Sequence, residues 1–562
     1  MTRHPIKLTT LAFSILASFQ ASAALYRVVE VTPPSGITYG SEYKSSFGIA
    51  VEPETGSTSC FSTSCSASDY PLSGETRYQK TMAGQPIDGY DLKEEVPFGL
   101  DNEFSYIDSE SEFQSFCSTY IGYNTCDSWG EARWNEKERE DSGELTSYAF
   151  TQDSGATTSS FAVASTSAST GTNSVVTSSD SSGDAVGFSL TTGDGSVDRS
   201  AITPTATVSG ETKVRIWKDD PSSGVKAGSI TTSYSSYYTS QAALWENSSS
   251  TPFTIGWTST GTGTDSTRNS RYAQGSIRDF YVDTSENMIY AVGYNSYGNY
   301  NYMSATLFKI DISDSSDWEL DSTSLISGAE VTSSSSSYSN TRLTAINANK
   351  IAVGEAKLDN GHALNGAYAN KLFVTDLTAS SPSATFFSQG TGNIGFNGAG
   401  GHVNAINDDN DIVGQIDTET AREVDGKPRR KRGFIYPYND STNSSRFGSQ
   451  AWLLDDLTNG GSYSSSNNAY RILSGNDIND AGVIAATAIK CSGGYSATTH
   501  DATCSGTEKT VAVKLIPISG ATSSDISERG YETSSVSRSG GGSFGILGVF
   551  SLFGLAWFRR KK

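Results

Sequence analysis

The sequence predicts an all-β protein, a β-propeller of about seven four-stranded blades closed by strands from the two ends of the chain. Three observations lead to this prediction. A degenerate hairpin unit recurs along the chain, an unpaired apolar segment stands near each end of the body, and the composition is rich in Ser, Thr, Gly and Tyr. Such a composition is typical of many short strands joined by turns.

Composition also excludes several classes of protein. The chain has 562 residues, of which 18% are charged, and this fraction is too low for a coiled coil or most helical arrays. Apolar residues make up 36% of the chain, too many for a fully disordered protein. The formal charge is −21, with 61 acidic and 40 basic side chains, so we expect no nucleic-acid partner.

The repeated unit has the pattern of a β-hairpin. It is clearest over 345–354, 405–414 and 477–486, where an apolar strand reaches Asn, turns, and continues into a second strand that closes on a small residue. Asp180 and Asp283 begin weaker copies. Asn and Asp favour the turn, while a closing Gly marks a place where backbones approach closely. Two copies depart from the pattern. The copy over 477–486 closes on Ala486 instead of Gly, and the copy that begins at Asp180 has Asp instead of Asn.

A third apolar element follows each hairpin, and the copies recur roughly every 60 to 70 residues. These elements are Leu244-Trp245, Leu307-Phe308, Leu372-Phe373, Phe434–Tyr436 and Val511–Val513. Short strands repeated at this period are typical of propeller blades, about seven here, with six or eight as alternatives. We expect the orphan strand over 25–31 to pair with the strand over 511–517, which would close the ring and hide both edges.

One segment breaks the β pattern. Over about 108–142, Phe113, Phe116, Tyr120 and Ile121 recur at helical spacing, and they predict a small helical insertion.

The N-terminal segment has the three parts of a secretory signal peptide. Arg3 and Lys7 precede an apolar run, and small residues end the segment at Ala23. We predict that signal peptidase cleaves after Ala23, so that residues 1–23 are the signal and 24–519 form the propeller. The alternative, a retained membrane anchor, is disfavoured because threonines interrupt the apolar run.

The C-terminal residues have the pattern of a second targeting signal. A Ser/Gly-rich linker over 520–539 leads to Gly540, Gly541 and Gly542, then to an apolar run and four basic residues, which together form a tail over 540–562. This order resembles the GlyGly-CTERM sorting tail of Gram-negative bacteria. The resemblance implies cleavage by a rhombosortase-like intramembrane protease, export by the type II secretion machinery and display on the cell surface. The alternative is a permanent single-span anchor in the inner membrane, with the body in the periplasm.

The six cysteines agree with an exported protein, and they fall as three close pairs: Cys60 with Cys65, Cys117 with Cys126, and Cys491 with Cys504. We predict a local disulfide in each pair, although the sequence leaves other connectivities open. The repeats resemble HAF-type extracellular repeats, and the whole chain is similar to an uncharacterised family of large secreted gammaproteobacterial proteins. This resemblance implies no activity for particular residues.

Three groups of residues are candidates for ligand binding. Asp408, Asp409 and Asp411 would suit calcium, but a turn in which Asp side chains bond the backbone explains them equally, and we predict no metal. The basic run Arg429, Arg430, Lys431 and Arg432 would bind an anionic polysaccharide or an acidic partner domain, or be a solvated hairpin arm, the interpretation we favour. Tyr294, Tyr297, Tyr300 and Tyr302 would stack on sugar rings from a rim loop, or be ordinary strand and turn residues.

No catalytic residue stands out, because the sequence offers no recognisable Asp or Glu pair, and we predict no cofactor. We therefore interpret the chain as a secreted, cell-surface-displayed β-propeller that acts as a binding or structural module rather than as an enzyme. The alternative is a secreted polysaccharide hydrolase or lyase.

Overall fold

The structure is a computed structural model of the full chain. It describes residues 24–33, 45–77, 79–82, 85–88, 109–141, 147–152, 159–160, 172–193, 196–201, 212–234, 237–246, 249, 251–257, 267–268, 271–298, 301–314, 317–331, 333, 336–387, 394–439 and 444–531. The predicted signal peptide, the glycines Gly540, Gly541 and Gly542, and the rest of the predicted tail lie outside the described residues.

The fold of the described residues is all-β, with seven antiparallel sheets of three or four strands, numbered here in chain order. Sheet 1 contains β2 (Ser45–Val51), β3 (Leu72–Arg77), β6 (Ser147–Gln152) and β7 (Ser159–Ser160). Sheet 2 contains β8 (Thr172–Ser179), β9 (Ala185–Gly193) and β10 (Ser196–Ala201). Sheet 3 contains β11 (Thr212–Asp220), β12 (Val225–Tyr234), β13 (Tyr237–Glu246) and β14 (Phe253–Ile255).

The second half of the chain is more regular. Sheet 4 contains β17 (Gly275–Asp283), β18 (Met288–Tyr297), β19 (Tyr302–Asp311) and β20 (Glu319–Leu325). Sheet 5 contains β21 (Tyr338–Ile346), β22 (Ile351–Leu358), β23 (Asn370–Asp376) and β24 (Thr385–Phe386). Sheet 6 contains β25 (Gly401–Ile406), β26 (Asp411–Asp417), β27 (Lys431–Pro437) and β28 (Trp452–Leu453). Sheet 7 contains β29 (Tyr470–Ile478), β30 (Ile484–Cys491) and β31 (Glu508–Pro517), together with β1 (Tyr26–Glu30).

The remaining elements are small. Two hairpins lie outside the sheets, β4 (Gln79–Met82) with β5 (Gln85–Asp88) and β15 (Thr267–Arg268) with β16 (Arg271–Tyr272). The helices are α1 (Glu110–Phe116), a π-helical turn (Cys117–Ile121), α2 (Cys126–Asp141), α3 (Ser444–Phe447), α4 (Leu454–Leu457), α5 (Ser464–Asn467) and a 3₁₀ turn (Ser523–Asp525). Within the described residues, no helix has both the length and the apolar character needed to cross a membrane.

Sheet 7 joins the two ends of the chain. β1 pairs antiparallel with β31, so that Val28 lies opposite Leu515 and Glu30 opposite Val513. The expected pairing of the two terminal strands is therefore present. It matters because β31 would otherwise leave an unpaired edge on the last sheet.

Each sheet packs its first strand against the sheet before it, and β2 of sheet 1 packs against β29, β30 and β31 of sheet 7. Lys514 of β31 lies at this last junction. Its buried ammonium donates to the carbonyl oxygen of Tyr70 at 2.8 Å and to the side chain of Gln152 at 2.9 Å. The apolar core is divided in the same way, since each cluster fills the space between neighbouring sheets, as Val292, Leu343 and Phe373 do between sheets 4 and 5.

The Asn that recurs in the hairpin turns forms two kinds of hydrogen bond, one within its own turn and one to the next sheet. In the turn after β21, Oδ1 of Asn347 accepts the backbone N–H of Ile351 at 3.0 Å, which fixes the hairpin. Its Nδ2 donates to the carbonyl of Asn407 in the next sheet at 2.8 Å, and Asn407 bonds Asn479 in the same way at 3.2 Å. Asn479 then donates to the carbonyl of Glu52 at 2.9 Å. An Asp can make the turn, as Asp180 does, but it has no N–H to reach the next sheet.

The closing Gly of each unit is required by a close approach between strands. A Cβ atom at Gly293 would lie 2.0 Å from the carbonyl oxygen of Ser276, and one at Gly414 would lie 2.1 Å from that of His402. Sheet 7 departs from this rule because Ala486 pairs with a glycine, Gly475, on the opposite strand.

Helices α1 and α2 lie in the segment where the sequence predicts an insertion, and a disulfide joins Cys117 to Cys126. The insertion begins after sheet 1 and reaches the β26–β27 connection of sheet 6, where Asn124 N–H donates to the Gly426 carbonyl at 2.9 Å. The other two disulfides join Cys60 to Cys65 and Cys491 to Cys504. All three predicted local pairs are confirmed.

The beginning of the expected Ser/Gly-rich linker is packed on the body. Gly520 N–H donates to the Phe61 carbonyl at 2.8 Å, and Arg529 is only 4% exposed. The Arg529 guanidinium donates to the carbonyl oxygens of Asp455 at 2.6 Å and Thr498 at 2.8 Å. Residues 520–531 therefore pack on the body through a buried arginine, while the linker over 520–539 as a whole stays a prediction.

We predict that Gly293→Ala destabilises the fold by about 1–3 kcal/mol or more, because the added Cβ has to displace the backbone of β17. Gly256→Ala is the matched control, since an added Cβ there meets no atom within 4 Å, and it should change stability by less than about 0.5 kcal/mol. Urea unfolding of both variants checks this. Equal effects of the two substitutions would contradict the close-approach explanation.

Candidate functional site

One cavity is enclosed by the first strands of all seven sheets. Its volume is about 740 Å³, and the strands β2, β8, β11, β17, β21, β25 and β29 contribute its walls. A volume of this size is sufficient for a small organic ligand.

Each of these seven strands has a β-bulge whose extra residue lines the cavity, while β21 and β29 have a second bulge, at Ser339 and Leu473, that does not. The seven bulge residues are Ile49, Thr177, Trp217, Arg278, Thr344, Asn404 and Asn476. A bulge leaves one residue without a partner in the ladder and bends the strand. Here that extra residue is the one placed at the cavity wall.

Four of the seven bulge residues form a hydrogen bond to the next sheet. Each donates from its side chain to the backbone carbonyl just before the next bulge: Thr177 to Ile216 at 3.1 Å, Thr344 to Val403 at 2.9 Å, Asn404 to Gly475 at 2.7 Å, and Asn476 to Gly48 at 2.5 Å. This bond satisfies a carbonyl oxygen inside the cavity, so the role of these four residues is structural.

Sheets 1, 3 and 4 have other residues at this position, and sheet 1 has the aliphatic Ile49. The bulge residues of sheets 3 and 4 are the large side chains Trp217 and Arg278, and the Arg278 guanidinium lies 3.5 Å from the centre of the Trp217 ring and 5.3 Å from that of Tyr294. Stacking of a guanidinium on an indole ring is a favourable cation–π contact. A wall in which the repeated structural pattern is replaced by large side chains is the best candidate for a functional surface.

The residues that follow Trp217 are charged. The Lys218 ammonium lies 2.5 Å from Oδ1 of Asp279, whose other oxygen accepts the backbone N–H of Ile346 in sheet 5 at 2.9 Å. Next comes Asp219, which is 7% exposed. Burial raises the pKa of Asp219 to about 6, and the charge of Asp180 acts in the same direction. A carboxyl group with such a pKa is able to exchange a proton near neutral pH.

A buried polar cluster lies beside this wall in sheets 5 and 6. Oε2 of Glu355 accepts from Arg342 at 2.9 Å and from Asn370 at 3.0 Å, while Oε1 accepts the Val403 N–H at 3.1 Å. His402 Nδ1 lies 3.3 Å from Oε1 of Glu355. Burial acts to raise the pKa of Glu355, but the charges of Arg342 and His402 outweigh it and hold that pKa well below its usual range. The cluster therefore keeps a carboxylate ionised inside the protein.

The hairpin turns give the cavity an acidic end. Oδ1 of Asp408 accepts the Ala348 N–H at 2.8 Å, and Oδ1 of Asp480 accepts the Asp408 N–H at 2.8 Å. Burial and the charge of Asp408 raise the pKa of Asp480 to about 6. Asp409 lies 2.6 Å from the Arg446 guanidinium, and Asp411 is buried. No three His, Cys, Asp or Glu side chains among the described residues converge as metal ligands.

The tyrosines expected on a rim loop lie inside strands. Tyr294 and Tyr297 belong to β18 and Tyr302 to β19, and their exposed fractions are 0%, 7% and 5%. Tyr300 lies outside the described residues. The three described rings do not occupy an exposed loop, because they pack within sheet 4.

The basic run is not the solvated arm that the sequence favoured. Arg429 is 4% exposed and donates to the carbonyl oxygens of Gly398 at 2.6 Å and Asn365 at 2.7 Å. Arg432 is 7% exposed, with Nε 3.3 Å from Asp455. The other two residues are partnered as well, Lys431 with Asp417 at 3.7 Å and Arg430 over the Tyr531 ring at 5.9 Å. Arg429 and Arg432 are thus buried, and Arg430 and Lys431 between them are half-buried.

The sequence analysis missed Trp217, Asp219 and Arg278. One signal was available: the strand before the turn at Asp220 carries charges where other copies of the unit are apolar. The bulge that brings these residues to one wall has no such signal, because it depends on pairing between strands.

A family model described as a protein of unknown function, DUF3466, matches residues 221–561. No curated protein sequence matches the chain.

Several solved structures resemble parts of the fold. They include the catalytic domain of a Coprinopsis cinerea GH62 α-L-arabinofuranosidase (10% identity, 55% of this chain and 94% of that chain, TM-score 0.23) and the structure of YjhT (10% identity, 58% and 88%, TM-score 0.25). A point mutant of the NanB sialidase from Streptococcus pneumoniae is a third (9% identity, 88% and 59%, TM-score 0.24). TM-scores of this size carry no inference about activity.

We predict that Asp219 makes the protein less stable as the pH rises from about 4 to about 6. Its pKa is near 4 in the unfolded chain and about 6 in the folded one, so the folded state binds more protons in this window. Asp219→Asn should remove this loss of stability, whereas Asp321→Asn, at an exposed carboxylate on β20, should retain it. Urea unfolding at several pH values measures the effect. Identical pH profiles for Asp219→Asn and the natural protein would contradict it.

Proposed function

This chain belongs to the DUF3466 family of proteins of unknown function, and we propose that it is a secreted, cell-surface-displayed β-propeller that binds a ligand in its central cavity. In this proposal the seven sheets are blades of a closed ring, which the strands β1 and β31 complete. The observation that carries the proposal is the wall of the cavity at sheets 3 and 4, where Trp217 and Arg278 stand at the positions that hold the inter-sheet bonding residues of sheets 2, 5, 6 and 7.

Hydroxyl-rich ligands fit this cavity best. Its walls combine an indole ring with neutral hydrogen-bonding groups, among them Thr55, Ser222 and Thr284. An aromatic face beside polar groups is the usual means of holding a sugar ring. We therefore propose a glycan as the ligand class.

Display outside the cell is part of the same proposal. The signal peptide and the sorting tail are expected to be removed by signal peptidase and a rhombosortase-like protease, after or during type II secretion. The HAF-type character of the repeats and a gammaproteobacterial origin belong to the proposal as well. Because residues up to 531 pack on the body, the linker that remains before the tail would be short.

A polysaccharide hydrolase or lyase is the second candidate. One observation favours it: Asp219 and Asp480 both line the cavity, and burial raises the pKa of each to about 6. A carboxyl group that is partly protonated near neutral pH has the property required of a general acid.

Binding of glycans to the exported protein tests the proposal. We expect a subset of an oligosaccharide array to bind the natural protein and to lose at least tenfold in affinity with Trp217→Ala. Tyr463→Ala, at a side chain 40% exposed and outside the cavity, should bind normally. Mass spectrometry of the purified protein should find termini at Ala24 and near Gly540.

Two outcomes would overturn the proposal. Binding that is equally strong with Trp217→Ala would show that the cavity is not the site. Release of reducing ends or unsaturated uronates from a bound polysaccharide would favour the enzyme instead.

A further inference from the structure

The position two residues after each bulge has a different character in sheet 3 from that in the other sheets. The other sheets place Val51, Ser179, Phe280, Ile346, Ile406 or Ile478 there, and five of these six are apolar. Sheet 3 has Asp219, which lines the cavity. A carboxylate at a position that the fold fills with apolar groups is costly to desolvate, so its presence calls for a compensating partner.

Compensation is incomplete in the part of the chain that the structure describes. The Asp219 side chain is more than nine-tenths buried, and its Oδ1 has no hydrogen-bond donor there. The neighbouring charges are those of Lys226, Asp180 and Asp220, and Lys226 lies opposite Asp219 in the backbone ladder. Lys226 favours the carboxylate, but burial outweighs it, and the two aspartates act in the same direction as burial.

The cavity lining as a whole has more negative than positive side chains. Its described lining contains eight carboxylates and three cations. Two of the cations are bound to carboxylates, Lys218 to Asp279 and Arg342 to Glu355. The surplus is therefore negative, and it favours a cationic occupant over an anionic one.

A metal ion is disfavoured as that occupant. A calcium ion needs six to eight oxygen ligands, roughly, and no three carboxylates among the described residues converge as a metal site requires. An ammonium group needs only two or three acceptors at hydrogen-bond distance, roughly, and one of them carries the counter-charge. Oδ1 of Asp219 would supply the acceptor that carries the counter-charge, and neutral oxygens elsewhere in the cavity lining would supply the others.

We propose that Asp219 is the counter-ion for a primary ammonium group on the ligand that enters the cavity, which makes an amino sugar or another hydroxylated amine the ligand class. This inference rests on the proposed function, since it specifies the ligand of the same cavity. Trp217 provides the aromatic surface and Asp219 the charge, and they stand two residues apart on one strand.

Calorimetric titration of the full exported protein tests the inference. The probes are glucosamine and its oligomers, N-acetylglucosamine oligomers of equal length, and calcium chloride. We expect the amine oligomers to bind the natural protein and Asp321→Asn equally. Binding to Asp219→Asn should be at least tenfold weaker, although that variant should melt no lower than the natural protein. The N-acetyl oligomers, which lack the positive charge, should bind at least tenfold more weakly than the amines.

Each other outcome overturns the inference. These outcomes are no binding of the amine oligomers, equal binding of the N-acetyl oligomers, unchanged affinity in Asp219→Asn, or binding of calcium alone. The variant Trp217→Ala distinguishes failure of the ammonium inference from failure of the proposed function. If glycan binding is lost in Trp217→Ala but unchanged in Asp219→Asn, the cavity binds a glycan and only the ammonium assignment is wrong.

Discussion

The antiparallel ladder between β1 and β31 is the interaction on which the rest of the architecture depends. It brings residues near Val28 into register with residues near Leu515, and it gives sheet 7 its fourth strand. The same sheet packs against β2 of sheet 1, so the last sheet of the chain meets the first. A cavity with walls from all seven sheets exists only while these two contacts persist.

A second constraint acts inside the cavity. Each first strand has a bulge residue at the cavity, and in four sheets this residue bonds to the carbonyl before the next such bulge, as Asn404 does with Gly475. The bonds link neighbouring sheets without using their strand edges. These bonds have a structural role, so a large side chain that stands in the same position without this role is a candidate for ligand contact. Trp217 and Arg278 stack on each other at these positions, and they form the wall on which a ligand has chemical groups to contact.

The sequence predicted the features that are set by local chemistry. The turn at Asn407 and the close approach at Gly414 follow from what Asn and Gly side chains can do in a hairpin, and both are present. The prediction for the basic run was wrong because charge alone does not reveal that Arg429 donates to the carbonyl oxygens of Gly398 and Asn365, which are 31 and 64 residues away in the chain. The wall at Trp217 and Asp219 was missed for the same reason, since a bulge arises from pairing between strands rather than from composition.

Amide hydrogen exchange of β1 tests the central claim most directly. If β1 completes the last sheet, the amides of Tyr26–Glu30 that bond to β31 should be protected as strongly as those in the middle of β18. They should exchange only when the whole protein unfolds. Exchange of the β1 amides within minutes under conditions that leave β18 protected would contradict the account, because β1 would then not be a stable fourth strand of sheet 7.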